Sequence, residues 1–133
     1  LAERTARLAA DYVGPVALKS FDPGIMARLR ARRGPLGLAG IPLGMVAEAH
    51  YDHAEWAFLN DVQKKSLGYF LHWDMTQPDF LSYGVNDLPH AVPHLLRNAV
   101  GLPVMTWTVR TEDQRQRAAK WADQVVFEGW IPE

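Results

Sequence analysis

The stretch from Gly101 to Gly129, GLPVMTWTVRTEDQRQRAAKWADQVVFEG, leaves few folds open, because it reads as a strand, a helix and a second strand. Leu102 to Val109 is rich in β-branched and aromatic residues. It ends at Thr111, whose hydroxyl can cap a helix while Gln114 reaches back in a capping box. A helix is expected from Glu112, and Ala118, Ala119 and Ala122 let it lie close against a sheet. Val125-Val126-Phe127 is short and apolar, as a buried strand is. Such a βαβ unit makes parallel strands with a right-handed crossover. Ligand-facing residues then belong just past the strands' C-terminal ends, at Trp107 to Arg110 and at Glu128.

The preceding residues continue the alternation. A helix from Leu1 to Tyr12 is expected, with Leu1, Thr5, Leu8, Ala9 and Tyr12 on one face, and Gly14-Pro15 leads into a strand from Val16 to Ser20. Asp22-Pro23 supplies an N-cap and a first-turn proline for a helix with Ile25, Met26 and Leu29 as its buried stripe. Arg28, Arg30, Arg32 and Arg33 crowd that helix's end, where the dipole favours cations. Gly37, Gly40, Pro42 and Gly44 break any regular pattern, although Leu43 to Ala47 fits a short strand. Asp52 and Glu55 read as a capping box opening one long helix to His72, with Trp56, Leu59, Leu67, Phe70 and Leu71 as its stripe. Pro78 to Val85 reads as a strand, and the following helix is expected to face Val92, Leu95, Leu96 and Ala99 inward before Gly101 closes it.

Strands alternating with helices predict an α/β fold with a parallel sheet. At 133 residues the chain is about half of the ~250 typical of a complete (β/α)8 TIM barrel, and Leu1 opens inside a helical pattern. The expectation is therefore a single partial domain, residues 1–133, forming the C-terminal half of such a barrel. Five candidate strands are one more than half a barrel needs. An irregular strand is thus expected, at Leu43 to Ala47 or at Phe80 to Tyr83.

A formal charge of −1 provides no long-range field for nucleic acid or an anionic membrane. No run of roughly 18 apolar residues predicts a membrane span. The absence of cysteine excludes disulfides, thiol catalysis and cysteine–zinc sites in this chain and is compatible with a reducing cytoplasm.

Five histidines invite a metal reading through His50 and His53, His72 and Asp74, and His90 and His94. No obvious third ligand accompanies these pairs, and half-buried or surface histidines are the preferred reading. Ser20 ends a strand without the G-x-S-x-G surroundings of an activated serine, and Asp22 is better explained as a cap. Lys19, Ser20 and Phe21 stand at a strand end as pocket candidates beside packing roles. Trp107 fits a barrel core or a pocket wall equally, and Arg110 a phosphate contact or a solvated loop.

WTVRT followed a helix later by ADQVVFEG resembles the end of a bacterial glycerophosphodiester phosphodiesterase, a TIM-barrel family. VALKSFDPGIMARLR, Val16 to Arg30, and PDFLSYGVNDLP, Pro78 to Pro89, resemble the same family's middle strands. The resemblance runs from about Leu1 to Pro132, and its specificity lies in the combination. It implies a parent phosphoric diester hydrolase of lipid metabolism that cleaves glycerophosphodiesters to glycerol 3-phosphate and an alcohol in the cytoplasm. It also implies that Trp107 lines the site beside the glycerol moiety, with Phe21 as a second apolar contact and Lys19 as a phosphate or hydroxyl partner. Glu128 stands where the family has a Thr-Asp pair, an exposed strand-end acid being the alternative. The family's acid–base histidines, in His-Arg-Gly and His-Asp motifs, are absent here. So are its Glu-x-Asp and Glu-Leu-Lys motifs, which hold a divalent cation, Mg or Ca. The fragment alone is expected to be inactive, with a missing N-terminal half or a second copy as its partner. A non-catalytic half-barrel that assembles or binds is the alternative.

Overall fold

Five apolar segments pair side by side in the order in which they occur: β1 (Leu18–Ser20), β2 (Leu43–Ala47), β3 (Phe80–Gly84), β4 (Val104–Val109) and β5 (Gln124–Phe127), every pair parallel. The computed structural model describes residues 1–131. In-order parallel pairing has no switch point of the doubly wound kind, so the connecting helices stay on one side, as in part of a (β/α)8 barrel.

The register sorts the side chains. Leu43, Met45, Leu81, Tyr83, Val104 and Thr106 turn toward the helices, and all are 2% exposed or less. Met26 and Leu29 of α2 (Pro23–Ala31) and Ala6 of α1 (Ala2–Ala10) join them in one core. The alternate residues, among them Lys19, Gly44, Ser82, Met105 and Trp107, face the other side, which in a closed barrel is the interior. There Gly44 lies under the Phe80 ring, and a Cβ at that position would come within 2.2 Å of it. A glycine is what lets this aromatic ring lie across the neighbouring strand.

Two aspartates fasten the strands at their N-terminal ends in the same way. Asp79, just before β3, takes the Leu43 N–H of β2 on its carboxylate at 2.8 Å and donates its own N–H to the Leu43 carbonyl at 2.7 Å. Asp123, just before β5, does the same with Val104 of β4, at 2.8 and 2.7 Å. Each carboxylate also meets an arginine from the helical segment that leads into the strand it holds, Arg33 after α2 and Arg97 before β4. Three members of the arginine cluster thus have partners: Arg33 holds Asp79, Arg30 stands 3.9 Å from the same carboxylate and donates to the Gln77 carbonyl, and Arg32 pairs with Glu3 of α1.

Several expectations are corrected. Leu43–Ala47 and Phe80–Gly84 are both regular, so all five strands belong to the sheet. The first helix buries Ala6 and Ala9, while Leu1, Leu8 and Tyr12 are exposed, because small side chains are what fit against α2. No single helix runs from Asp52 to His72. A 3₁₀ turn, Ala54–Trp56, precedes α3 (Asp61–Gly68) and α4 (Trp73–Thr76). The capping box that forms is Asn60 with Gln63, which starts α3, and Phe70 at φ 58° interrupts the helical path before α4. In the segment of α5 (Ala91–Leu95) and the π turn Leu96–Val100, Val92, Pro93 and Leu96 pack inward, and Leu95 and Ala99 are exposed. The N-cap expected at Asp22 and the capping box expected at Thr111 with Gln114 both form, the latter opening α6 (Glu112–Trp121).

Both clamping aspartates are held below the usual carboxylate range. For Asp123 the Arg97 hydrogen bonds lead; for Asp79 burial pushes upward, and the Arg33 and Leu43 hydrogen bonds with the Arg33 and Arg30 charges outweigh it. A depressed folded-state pKa contributes stability that is present above the unfolded value of about 3.9 and is lost as pH falls through the folded value. Urea denaturation is therefore expected to show a decline in stability below about pH 4 that Asp79→Asn and Asp123→Asn both reduce, after an earlier loss from about pH 6.5 downward as the unfolded chain protonates His72, whose folded-state pKa burial lowers. Asp79→Ala, which strips the Leu43 N–H and Arg33 of their partner, is expected to cost about 1–3 kcal/mol at neutral pH.

Candidate functional site

The C-terminal ends of the strands are where a sheet wound this way presents its ligand site, since the loops there are free of packing duties. At the first of them β1 delivers Lys19, and the chain then turns through Phe21 to Asp22, whose carboxylate caps α2 at Gly24 N and Ile25 N. The Ser20 Oγ accepts the Asp22 N–H at 3.0 Å, a turn-forming role with no base beside it.

Ser82 of β3, fully buried, is the common anchor of two predicted site residues. Its Oγ accepts from Lys19 Nζ at 3.1 Å, and its carbonyl accepts from Trp107 Nε1 at 2.9 Å. Partial burial draws the Lys19 ammonium below the ordinary lysine range. The Phe21 ring stands edge-on to Trp107 with centroids 5.5 Å apart, and tilted against Trp56 at 5.1 Å. Such geometries suit aromatic quadrupoles. Lys19, Phe21 and Trp107 thus line one cavity of about 1020 Å³, with Val46, Trp56, Phe58, Leu67, Met75 and Val126 among its other walls.

Glu128 lies elsewhere. At the end of β5 it pairs with Arg110, Nε and Nη2 standing 2.8 and 2.7 Å from one carboxylate oxygen, and both side chains are largely exposed. Arg110 is therefore engaged by an acid and is not free for a phosphate.

A second group, at the end of β2, lies outside the residues that the sequence points to. Glu48 is mostly buried and accepts from Trp56 Nε1, with His53 Nε2 2.6 Å away. The Tyr51 hydroxyl accepts the Glu48 N–H at 3.2 Å. Burial, with the Glu48 and Asp87 charges behind it, pushes the Tyr51 phenol up to about 12 despite that hydrogen bond. Asp87 accepts from Ala49 N at 2.8 Å and so ties the β2 end to the turn after β3. The available signal was Glu48 itself, an acid directly after a strand. The apolar spacing beyond it, which predicts one long helix, hides that role.

The histidines are scattered among these surroundings. His90 Nδ1 meets the buried Tyr83 hydroxyl at 3.0 Å, and burial raises that phenol's pKa. His72 is buried with Nδ1 3.3 Å from Thr76 Oγ1, and burial lowers its pKa. Among the described residues no group of three or more His, Asp or Glu side chains could hold a metal ion. The residues here do not fit a divalent cation: Glu48 and Asp87 are committed to protein donors. Among the described residues no helix is long and apolar enough to cross a membrane.

No protein-family model matches the sequence. No curated protein matches it either. Among solved structures the chain is similar to a putative glycerophosphoryl diester phosphodiesterase from Silicibacter pomeroyi DSS-3, with a TM-score of 0.55 and 20% identity over 84% of this chain and 33% of that one. It is also similar to a glycerol uptake operon antiterminator regulatory protein from Listeria monocytogenes strain 4b F2365, with a TM-score of 0.53 and 14% identity over 94% of this chain and 58% of that one. The chain thus spans a third of the first and under two thirds of the second. At these identities the likeness is one of fold, an α/β arrangement of parallel strands alternating with helices.

Proposed function

We propose that this chain is the substrate-recognition wall of a glycerophosphodiester phosphodiesterase, the C-terminal half of its barrel. The observation that carries the reading is the convergence of Lys19, Phe21 and Trp107 on one cavity at the strand ends, from strands that are not neighbours. Lys19 would pair with a phosphate oxygen. Its ammonium is partly desolvated, which strengthens a charged contact, and Ser82 fixes its position. Trp107, held through its indole N–H, would offer a ring face to the carbons of the glycerol moiety, and Phe21 would back it.

Bond cleavage is assigned to other residues. The divalent cation that the resemblance implies, Mg or Ca, would supply charge neutralisation at the phosphate, and its ligands and the acid–base pair would lie outside this chain. The similarity to the Silicibacter pomeroyi protein supports this reading, and so does the sequence resemblance from Val16 to Arg30 and from Trp107 to Gly129.

A second reading rests on the open sheet. β1 and β5 each have one unpaired edge, and Val62 and Phe127 are exposed, so a non-catalytic module that assembles through those edges is the alternative. Light scattering separates the two, because a stable homodimer without phosphodiester binding favours assembly.

The first reading predicts that glycerol 3-phosphate and glycerophosphocholine bind the chain in calorimetry without hydrolysis, with or without Mg or Ca. Lys19→Met is expected to weaken binding by about 1.5–3 kcal/mol, roughly 10- to 150-fold, as befits a hydrogen bond to a charged group. Trp107→Ala is expected to weaken it about 10-fold or more. Metal-dependent hydrolysis by this chain alone, or affinity indifferent to Lys19, would sink the proposal.

A further inference from the structure

Four positions of the first helix and its ends fall on one line. Leu1, Thr5, Leu8 and Tyr12 follow one another at spacings of four, three and four residues, so at about 100° per residue they share an arc of roughly 60°. All four are exposed, Leu8 at 66% and Tyr12 at 59%. The helix meets its own protein through other positions: Ala6 and Ala9 are buried, α2 is its neighbour, and Glu3 pairs with Arg32 there. Thr5 donates its hydroxyl to the Leu1 carbonyl at 3.4 Å, which leaves its methyl group for the stripe. A spacing of this kind is the seam that a second helix fills.

The charges beside the seam say what kind of helix that is. By the same periodicity Arg4 and Asp11 lie along one flank of it. Both oppose the dipole of their own helix, a cation in the first turn and an anion at the C-cap, and among the described residues neither makes an ion pair. A second helix of the same sequence, antiparallel about a two-fold axis between Thr5 and Leu8, sets Leu1 against Tyr12 and Thr5 against Leu8, twice over. It also brings Arg4 of each copy to Asp11 of the other, two residues out of level, or about 3 Å along the axis, which an arginine spans. The flank is thus complementary to itself. A lipid surface is served less well, because an anionic membrane favours cations alone beside an apolar stripe.

We propose that α1 is the contact between two copies of this chain, packed antiparallel along Leu1, Thr5, Leu8 and Tyr12, with Arg4 and Asp11 of each copy paired to Asp11 and Arg4 of the other. The assignment rests on neither functional reading above. α1 lends no residue to the strand-end cavity, and its stripe is separate from the unpaired edges of β1 and β5. A contact of three helical turns is about 18 Å long and belongs at the weak end of specific interfaces, so the pair comes apart on dilution.

The test is sedimentation equilibrium of the 133-residue chain over a wide range of concentrations. A monomer–dimer equilibrium is expected. Leu8→Ser, at an exposed position and with folding checked by circular dichroism, should weaken the dimer about 10-fold or more. Arg4→Glu and Asp11→Lys should each weaken it about 10-fold, and the two together should restore it. Each exchange suits the dipole of its own helix, so a loss of dimer cannot be put down to a loss of helix. A chain that is monomeric at every concentration would overturn the proposal. So would a dimer indifferent to Leu8→Ser, which would move the contact to the sheet edges. A dimer lost in both single exchanges and still lost in the double one would overturn the antiparallel arrangement. A monomer that floats with phosphatidylcholine–phosphatidylglycerol vesicles, and no longer does so with Leu8→Ser, would give the stripe to a lipid surface instead.

Discussion

The contact on which the arrangement most depends is the Asp79 carboxylate, which holds the Leu43 N–H of β2 and the guanidinium of Arg33 while its own backbone opens β3. One side chain thereby fixes two strands and the end of α2, the helix that precedes β2. A parallel pair has no tight turn to set its register, so something else must, and a one-residue slip would exchange the core face for the barrel-interior face. Asp123 repeats the device one βαβ unit later with Val104 and Arg97. These two clamps sit at the strands' N-terminal ends, and the candidate site sits at the C-terminal ends. Stability and ligand chemistry are thus kept at opposite ends of the strands.

Register has a direct consequence at the top. Because Gly44 pairs with Lys19 and with Phe80, and Ser82 with Val46 and Met105, Lys19 and Ser82 share one face of the sheet and can meet across β2. Ser82 has no room for solvent and spends its hydroxyl on Lys19 and its carbonyl on Trp107. A small, fully buried polar residue therefore aims the cation and the aromatic ring at the same space. Gly84 on the same strand leaves room for the Trp107 ring on one side and the Asp87 carboxylate on the other.

The segment between β2 and β3 gives the cavity its character. Were it one helix packed on the sheet, as its apolar spacing suggested, Trp56 and Leu59 would be core residues. Broken into a 3₁₀ turn and two helices, it lays Trp56, Phe58 and Leu67 beside the strand ends and lets Glu48 hold Trp56 in place. The break is made by Asn60, whose capping box with Gln63 starts α3, and by Phe70 in the left-handed region. Apolar periodicity cannot distinguish a continuous stripe from separate pieces that share a phase.

From the sequence alone came the class of fold and the identity of the strand-end residues. A capping box at Thr111, a proline after Asp22 and short β-branched runs are local signals, written within a few residues of one another, and each is satisfied where it was expected. Lys19, Phe21 and Trp107 could be named because a strand end is a position along the chain. What the tertiary structure alone decided is which of those ends meet. Glu128 went to Arg110, Glu48 to Trp56, and two aspartates at strand starts became clamps, because each choice depends on register and on partners between 8 and 36 residues away. Propensity and periodicity carry no information about such pairings; the sheet's parallel order and the space left between its ends do.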